Sequence, residues 1–158
     1  IDVNNALNGE GPIAPERAGT MPAADLAALC FSGRFTLDEI KKKIAGKGGM
    51  VAHLGTNDLR AVEKRIEEGD ASAALVFEAM AKTTAKQIGG AAAVFKGKVD
   101  GVVLTGGLMH SAKFVELIRS HISFLGPVFV YPGENEMAAL AAAGGRILRG
   151  EEPAKTYN

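Results

Sequence analysis

Two strand–helix units in the last third of the chain constrain the fold more than any other feature. Val99–Leu104 (VDGVVL) reads as a buried strand and is followed by a helical stretch over 112–121 (AKFVELIRSH). Residues 127–131 (PVFVY) read as a second strand, followed by a helix over 134–149. The connections are short. Neither strand alternates apolar with polar residues, as expected of strands covered on both faces. The order β-α-β-α then predicts an α/β fold with helices flanking a parallel pair.

The upstream residues read as loops and helices. Residues 1–22 are rich in proline and glycine and predict loops. A helix is expected over 22–31 (PAADLAALCF), with Pro22 in its first turn. Thr36 and Glu39 have capping-box spacing, and Gly46 closes that second helix. GGMVAHLGTND reads as an extended segment or turn. Asn57 or Asp58 caps a third helix ending at Gly69, and Asp70 opens a long one whose Gly89-Gly90 pair is expected to weaken it. The tail EEPAKTYN, residues 151–158, is expected to be frayed. The chain opens on Ile1-Asp2-Val3-Asn4, which reads as the end of a strand and suggests a piece of a longer protein.

Composition narrows the function classes. Eighteen basic and eighteen acidic residues cancel, which argues against a nucleic-acid-binding surface. No apolar run is long enough to span a bilayer, so no membrane partner is expected. The single cysteine, Cys30, sits in an apolar run and is expected to be a buried thiol in a reducing cytoplasm.

The first strand runs into Gly106-Gly107 and then Ser111. Glycine costs folding entropy, so something should require the missing side chains. Ligands of open α/β sheets bind beyond the carboxyl ends of strands. A flat ring or a sugar could lie on such a backbone; a tight turn with no ligand fits the residues equally well. The motif is neither a dinucleotide fingerprint nor a P-loop, because the third glycine and the Gly-Lys-Ser/Thr are missing.

Four segments, PERAGTMP, HLGTNDLR, LTGGLMHS and YPGENEMAAL, stand in an order that resembles the acetate kinase group of acid kinases, in its butyrate branch. That group lies in the acetate and sugar kinase, heat-shock-cognate and actin superfamily. The resemblance runs from Ile1 to about Glu152 and implies the C-terminal lobe of an actin-like ATPase (ribonuclease H-like) fold, a mixed sheet flanked by helices. It makes residues 1–152 a nucleotide-binding lobe whose N-terminal partner lobe lies outside this sequence. The implied activity is reversible transfer of the ATP γ-phosphoryl group to butyrate or a branched short-chain carboxylate. The implied ligands are ATP/ADP and Mg²⁺. A nucleotide-binding lobe from a sugar kinase or an activator ATPase is the alternative, as is an isolated lobe without activity. An apolar face where the other lobe packs is expected, and with it association of copies into a homo-oligomer.

The resemblance also implies roles for residues. Gly106 and Gly107 would let purine and ribose lie on the backbone, and Ser111 would cap the following helix. Arg17 would contact the transferring phosphoryl group, where a planar, permanently charged guanidinium suits three equatorial oxygens. On the residues alone, a lone arginine in a loop is more often a solvated charge or a surface ion pair. Ala18-Gly19-Thr20 departs from the Ser-Gly-Asp that follows this arginine in the acetate branch. Asn57, Asp58 and Arg60 would touch the nucleotide, the guanidinium stacking on the base; as plain structure they are a helix cap and a solvated side chain. Glu134 and Glu136 fall in the first turn of the last helix, where they complement its dipole. One of them would serve Mg²⁺, which prefers a carboxylate or two plus phosphate oxygens, with Glu136 favoured by register. His53 resembles the family's HLG phosphate turn but lies downstream of Arg17, where that turn lies upstream, and is set aside. His110 and His121 read as structural or surface residues.

Overall fold

The computed structural model describes residues 3–156, with Glu136 described by its backbone alone. Its elements are α1 (Ala23–Cys30), α2 (Leu37–Ile44), α3 (Gly49–Leu54), α4 (Leu59–Glu67), α5 (Ala71–Val94), β1 (Val102–Gly106), α6 (Ala112–Ile122), β2 (Val128–Pro132) and α7 (Glu136–Leu148). The α/β class and the order of the last four elements are as the sequence predicts. Both strands sit a residue or more later than read. Ile1, Asp2, Tyr157 and Asn158 lie outside the described residues, so the reading of residues 1–4 as a strand end is met only at Val3 and Asn4, which are not strand.

β1 and β2 pair in parallel, with Val102 opposite Val128 and Leu104 opposite Val130 on the core face. Those residues join Phe77, Met80, Phe114, Ile118 and Ile122 in a single core under α5 and α6. The other face carries Val103, Phe129 and Tyr131, all exposed. The expectation that both faces are covered is therefore corrected: among the described residues, helices cover one face only. The sequence misleads because both faces of VVL and VFV are apolar.

α5 is unbroken through Gly89 and Gly90. Nothing lies within 4 Å of where a Cβ would stand at either position, so close packing does not require them. Asp70 caps this helix through the N–H groups of Ser72 and Ala73, and both hydrogen bonds of the Thr36–Glu39 capping box are made. Three further readings change. GMVAHL is the short helix α3 and not an extended segment or turn. Cys30 is exposed, because α1 buries no residue. α7 begins at Glu136 with Asn135 at its N-cap, leaving Glu134 in the preceding loop. No helix of the described residues is long and apolar enough to cross a membrane.

Phe114 is 1% exposed and meets Phe77 edge-to-face with ring centroids 5.3 Å apart, joining α6 to α5 beneath β1. Phe114→Ala is expected to cost roughly 3–5 kcal/mol of unfolding free energy, because the cavity lies between two helices that cannot both collapse into it. Urea unfolding with an unchanged m-value would register it; a loss under about 1 kcal/mol would show that the site closes over.

Candidate functional site

The carboxyl ends of β1 and β2 are stitched together just beyond the parallel ladder. Gly106 N–H donates to the Gly133 carbonyl and Gly133 N–H to the Gly106 carbonyl, each at 3.1 Å. Gly106 has φ +97°, a conformation L side chains rarely adopt. Gly107 then begins a short 3-10 turn, Gly107–His110. A Cβ added at Gly106 or Gly107 would meet nothing within 4 Å. The pair is thus not required by neighbouring protein atoms and faces open space.

That space is a cleft of about 890 Å³. Arg17, Asn57, Asp58, Arg60, Gly106, Gly107, Ser111 and Glu134 all line it, drawn from four separate stretches of chain. Every candidate residue named from the sequence is brought to this one place except Glu136, whose side chain lies outside the described residues. Glu63 and Thr105 also line the cleft and were not named from the sequence; His110, read there as a structural or surface residue, lines it too.

Each wall has a local cause. Asp58 is the N-cap of α4, its carboxylate accepting the Arg60 N–H at 3.0 Å. The same carboxylate holds the Arg60 guanidinium at two points, 3.1 and 3.2 Å, so the arginine plane is oriented at the cleft rim with its side chain 89% exposed. Hydrogen bonds from the Arg60 side chain, then from its backbone, hold the Asp58 carboxyl below its usual range. Asp58 in turn holds the Arg60 guanidinium more firmly protonated. Asn57 points elsewhere, donating to Glu16 at 2.8 Å across 41 residues and tying this turn to the Arg17 loop.

The Arg17 loop is fixed by its backbone. Ile13 N–H donates to Thr83 Oγ1 of α5 at 3.2 Å, Ala18 N–H to the Ile44 carbonyl at 2.9 Å, and Gly46 N–H to the Glu16 carbonyl at 2.8 Å. α3 closes onto the loop end-on: the N–H groups of Met50 and Val51 donate to the carbonyls of Ala14 and Pro15, satisfying donors a helix start leaves free. A Cβ at Gly49 (φ +55°) would strike the carbonyl oxygens of Ala14 and Arg17. The glycine pair that neighbours do require is therefore 48–49, behind Arg17. The Arg17 side chain is exposed and has no hydrogen-bond or ion-pair partner among the described residues.

Ser111 caps α6 by accepting the Phe114 N–H at 2.9 Å, while its hydroxyl donates to Glu63 Oε1 at 2.6 Å. Its one proton is thus committed within the protein. Among the described residues no three His, Cys, Asp or Glu side chains converge as a ready-made metal cage. Three carboxylates line the cleft: Asp58 is held by Arg60 and Glu63 accepts from Ser111, while Glu134 has no such partner among the described residues. That donor set suits a cation completed by phosphate oxygens and water.

A sequence model of the Acetokinase family matches residues 9–151. The chain belongs to the Acetokinase family. A probable butyrate kinase of Bacteroides thetaiotaomicron is 54% identical over 157 residues, which are 99% of this chain and 44% of that protein. The fold is that of solved acid kinases. Porphyromonas gingivalis acetate kinase superposes with a TM-score of 0.78 at 24% identity, over 88% of this chain and 41% of that one. A propionate kinase of Francisella tularensis gives 0.71 at 21% identity, over 81% and 39%. The chain thus spans less than half the length of these relatives.

Proposed function

We propose that this chain is the C-terminal, nucleotide-binding lobe of a short-chain carboxylate kinase, with residues 1–152 forming the lobe and 153–158 a tail. The longer protein would transfer the γ-phosphoryl group of ATP to butyrate or a branched short-chain acid, giving an acyl phosphate and ADP, and would run the reverse. One observation carries the reading: an arginine with no partner among the described residues, an oriented guanidinium plane, an open glycine pair and a carboxylate all line one cleft beyond the carboxyl ends of two parallel strands. The preference for butyrate is supported by the 54% identical relative.

In this reading the adenine lies between the Arg60 plane and the backbone of Gly106 and Gly107. Asp58 keeps Arg60 oriented. The triphosphate runs toward Arg17, whose guanidinium meets the equatorial oxygens as the acid's carboxylate oxygen forms its bond to phosphorus and the bridging oxygen leaves with ADP. Mg²⁺ at Glu134 or, by register, Glu136 would neutralise phosphate charge. Little covalent work falls to the protein; positioning and charge carry the catalysis. The uncovered face of β1 and β2, together with exposed Met137, Leu140 and Leu148 of α7, is where the other lobe or a second copy would pack. The proposed setting is the cytoplasm, in keeping with one free, exposed thiol at Cys30.

The test is steric. Gly107→Val fills space that nothing else occupies, and the variant is expected to fold. A branched side chain where the ring lies should cost ~1–3 kcal/mol, or roughly tenfold or more in ADP affinity. Calorimetry on a folded Gly107→Val protein showing unchanged ADP affinity would overturn the assignment of the cleft.

A further inference from the structure

We infer that Glu63 is a positioning residue of the nucleotide cleft: through its hydrogen bond with Ser111 it fixes the spacing between the Arg60 rim and the glycine rim. The inference rests on the reading of the cleft as a nucleotide site and adds a residue to it.

The two rims belong to different elements. Asp58 and Arg60 start α4, and Glu63 follows one turn later. Gly107 starts the 3-10 turn that leads directly into α6, and Ser111 is the N-cap of that helix. α4 and α6 both pack on α5, but a groove of about 680 Å³ separates them, lined by Ile66, Phe77, Ala112 and Leu117 among others. Glu63 lines both this groove and the cleft, so it stands in the wall between them.

Only two side-chain hydrogen bonds among the described residues cross from α4 to the start of α6. One is the Glu67–Lys113 ion pair, with side chains 63% and 59% exposed. Exposed pairs of this kind contribute little. The other is Ser111 Oγ–H to Glu63 Oε1, part-buried and 2.6 Å long. A hydroxyl donating to an ionised carboxylate is among the stronger hydrogen bonds. The same hydroxyl accepts from Phe114 N–H, so the bond ties Glu63 to the first turn of α6 and not to a mobile side chain.

Spacing matters because the proposed ligand is flat. A ring held between two faces needs each at about 3.5–4.0 Å, and a gap of 0.5–1 Å forfeits roughly a quarter to a half of the dispersion at that face. A tether that holds two helices across a groove therefore acts on base affinity without touching the base. The role needs an acceptor oxygen at Glu63; the charge strengthens the bond but is not required for it.

The experiment uses the full-length protein and ADP. Glu63→Ala is expected to weaken ADP about tenfold in calorimetry, an ordinary coupling for a hydrogen-bonded pair. It should raise the KM for ATP while leaving the KM for the carboxylate unchanged. Glu63→Gln keeps the acceptor and should restore affinity to within about threefold of wild type. Glu67→Ala should change nothing. Ser111→Ala reads the same bond from its other end if Glu63→Ala fails to fold, and in the double variant the two losses should not add. Wild-type affinity in Glu63→Ala, a Gln variant as weak as the Ala variant, or additive losses would each overturn the inference while leaving the nucleotide site standing. Failure of the wild-type protein to bind ADP would instead sink the reading of the cleft itself.

Discussion

Arg17→Ala in the complete kinase is expected to lower kcat about 10³-fold or more, with little change in the KM for ATP, as for arginines that meet a transferring phosphoryl group. The structural basis is the contrast between its backbone and its side chain. The loop is pinned to α5, to α2 and to the start of α3. The guanidinium it presents to the cleft has no protein partner among the described residues. A fixed base with a free head suits a group whose partner arrives only in the reacting complex. Electrostatic stabilisation of that kind acts on the transition state more than on the bound ground state. Arg17→Lys should rescue poorly, because an ammonium lacks the planar fork. Steady-state kinetics decide between roles: a change confined to the KM for ATP would make Arg17 a binding residue and the assignment wrong.

The parts of this fold that could be read from the sequence are those with local causes. Thr36 with Glu39, and Asp70, each cap a helix as their residues predict, and Ser111 caps one as the resemblance implies, because capping is settled within three residues. α3 could not be read. Six residues that begin with glycine carry no helical signal of their own. The helix exists because Met50 is fully buried and because the Ala14 and Pro15 carbonyls take up its first N–H groups. Cys30 fails in the opposite sense: an apolar stretch predicts burial, yet α1 buries nothing within the described residues. The site divides in the same way. Residue types alone left Arg17, Asp58 and Glu134 with ordinary structural explanations, and only the order of four motifs suggested a common purpose. The links that assemble the cleft, Asn57 to Glu16 and Ser111 to Glu63, join positions 41 and 48 residues apart and have no local signature.

The second large effect concerns the 158 residues on their own: they are expected to phosphorylate carboxylic acids at a negligible rate. In-line transfer requires donor and acceptor within about 3–3.5 Å in aligned geometry, and such positioning supplies roughly 7–11 kcal/mol of the barrier reduction. In the proposed reading the cleft takes a nucleotide, with Arg17 toward the phosphoryl group and Glu134 toward a metal, and no lining residue is assigned to the acid. A second concavity, the apolar groove between α4 and α6, cannot serve as the acid pocket in this arrangement. Glu63 stands between it and the cleft, and Arg17 is absent from its lining. An acceptor arriving from solution would have to find its own orientation in open water, where the electrostatic terms are also weakest. Loss of the cleft between lobes should therefore exceed the effect of any single substitution, Arg17→Ala included. The expected result separates binding from chemistry: ADP affinity is kept in large part, because the glycine pair and the Asp58–Arg60 rim are both present, while turnover is lost. A hydroxamate assay of the purified chain with ATP, Mg²⁺ and butyrate measures the second, and calorimetry with ADP the first. Turnover within about tenfold (~1.4 kcal/mol in barrier) of a complete Acetokinase family enzyme would show instead that the active site is whole within these residues.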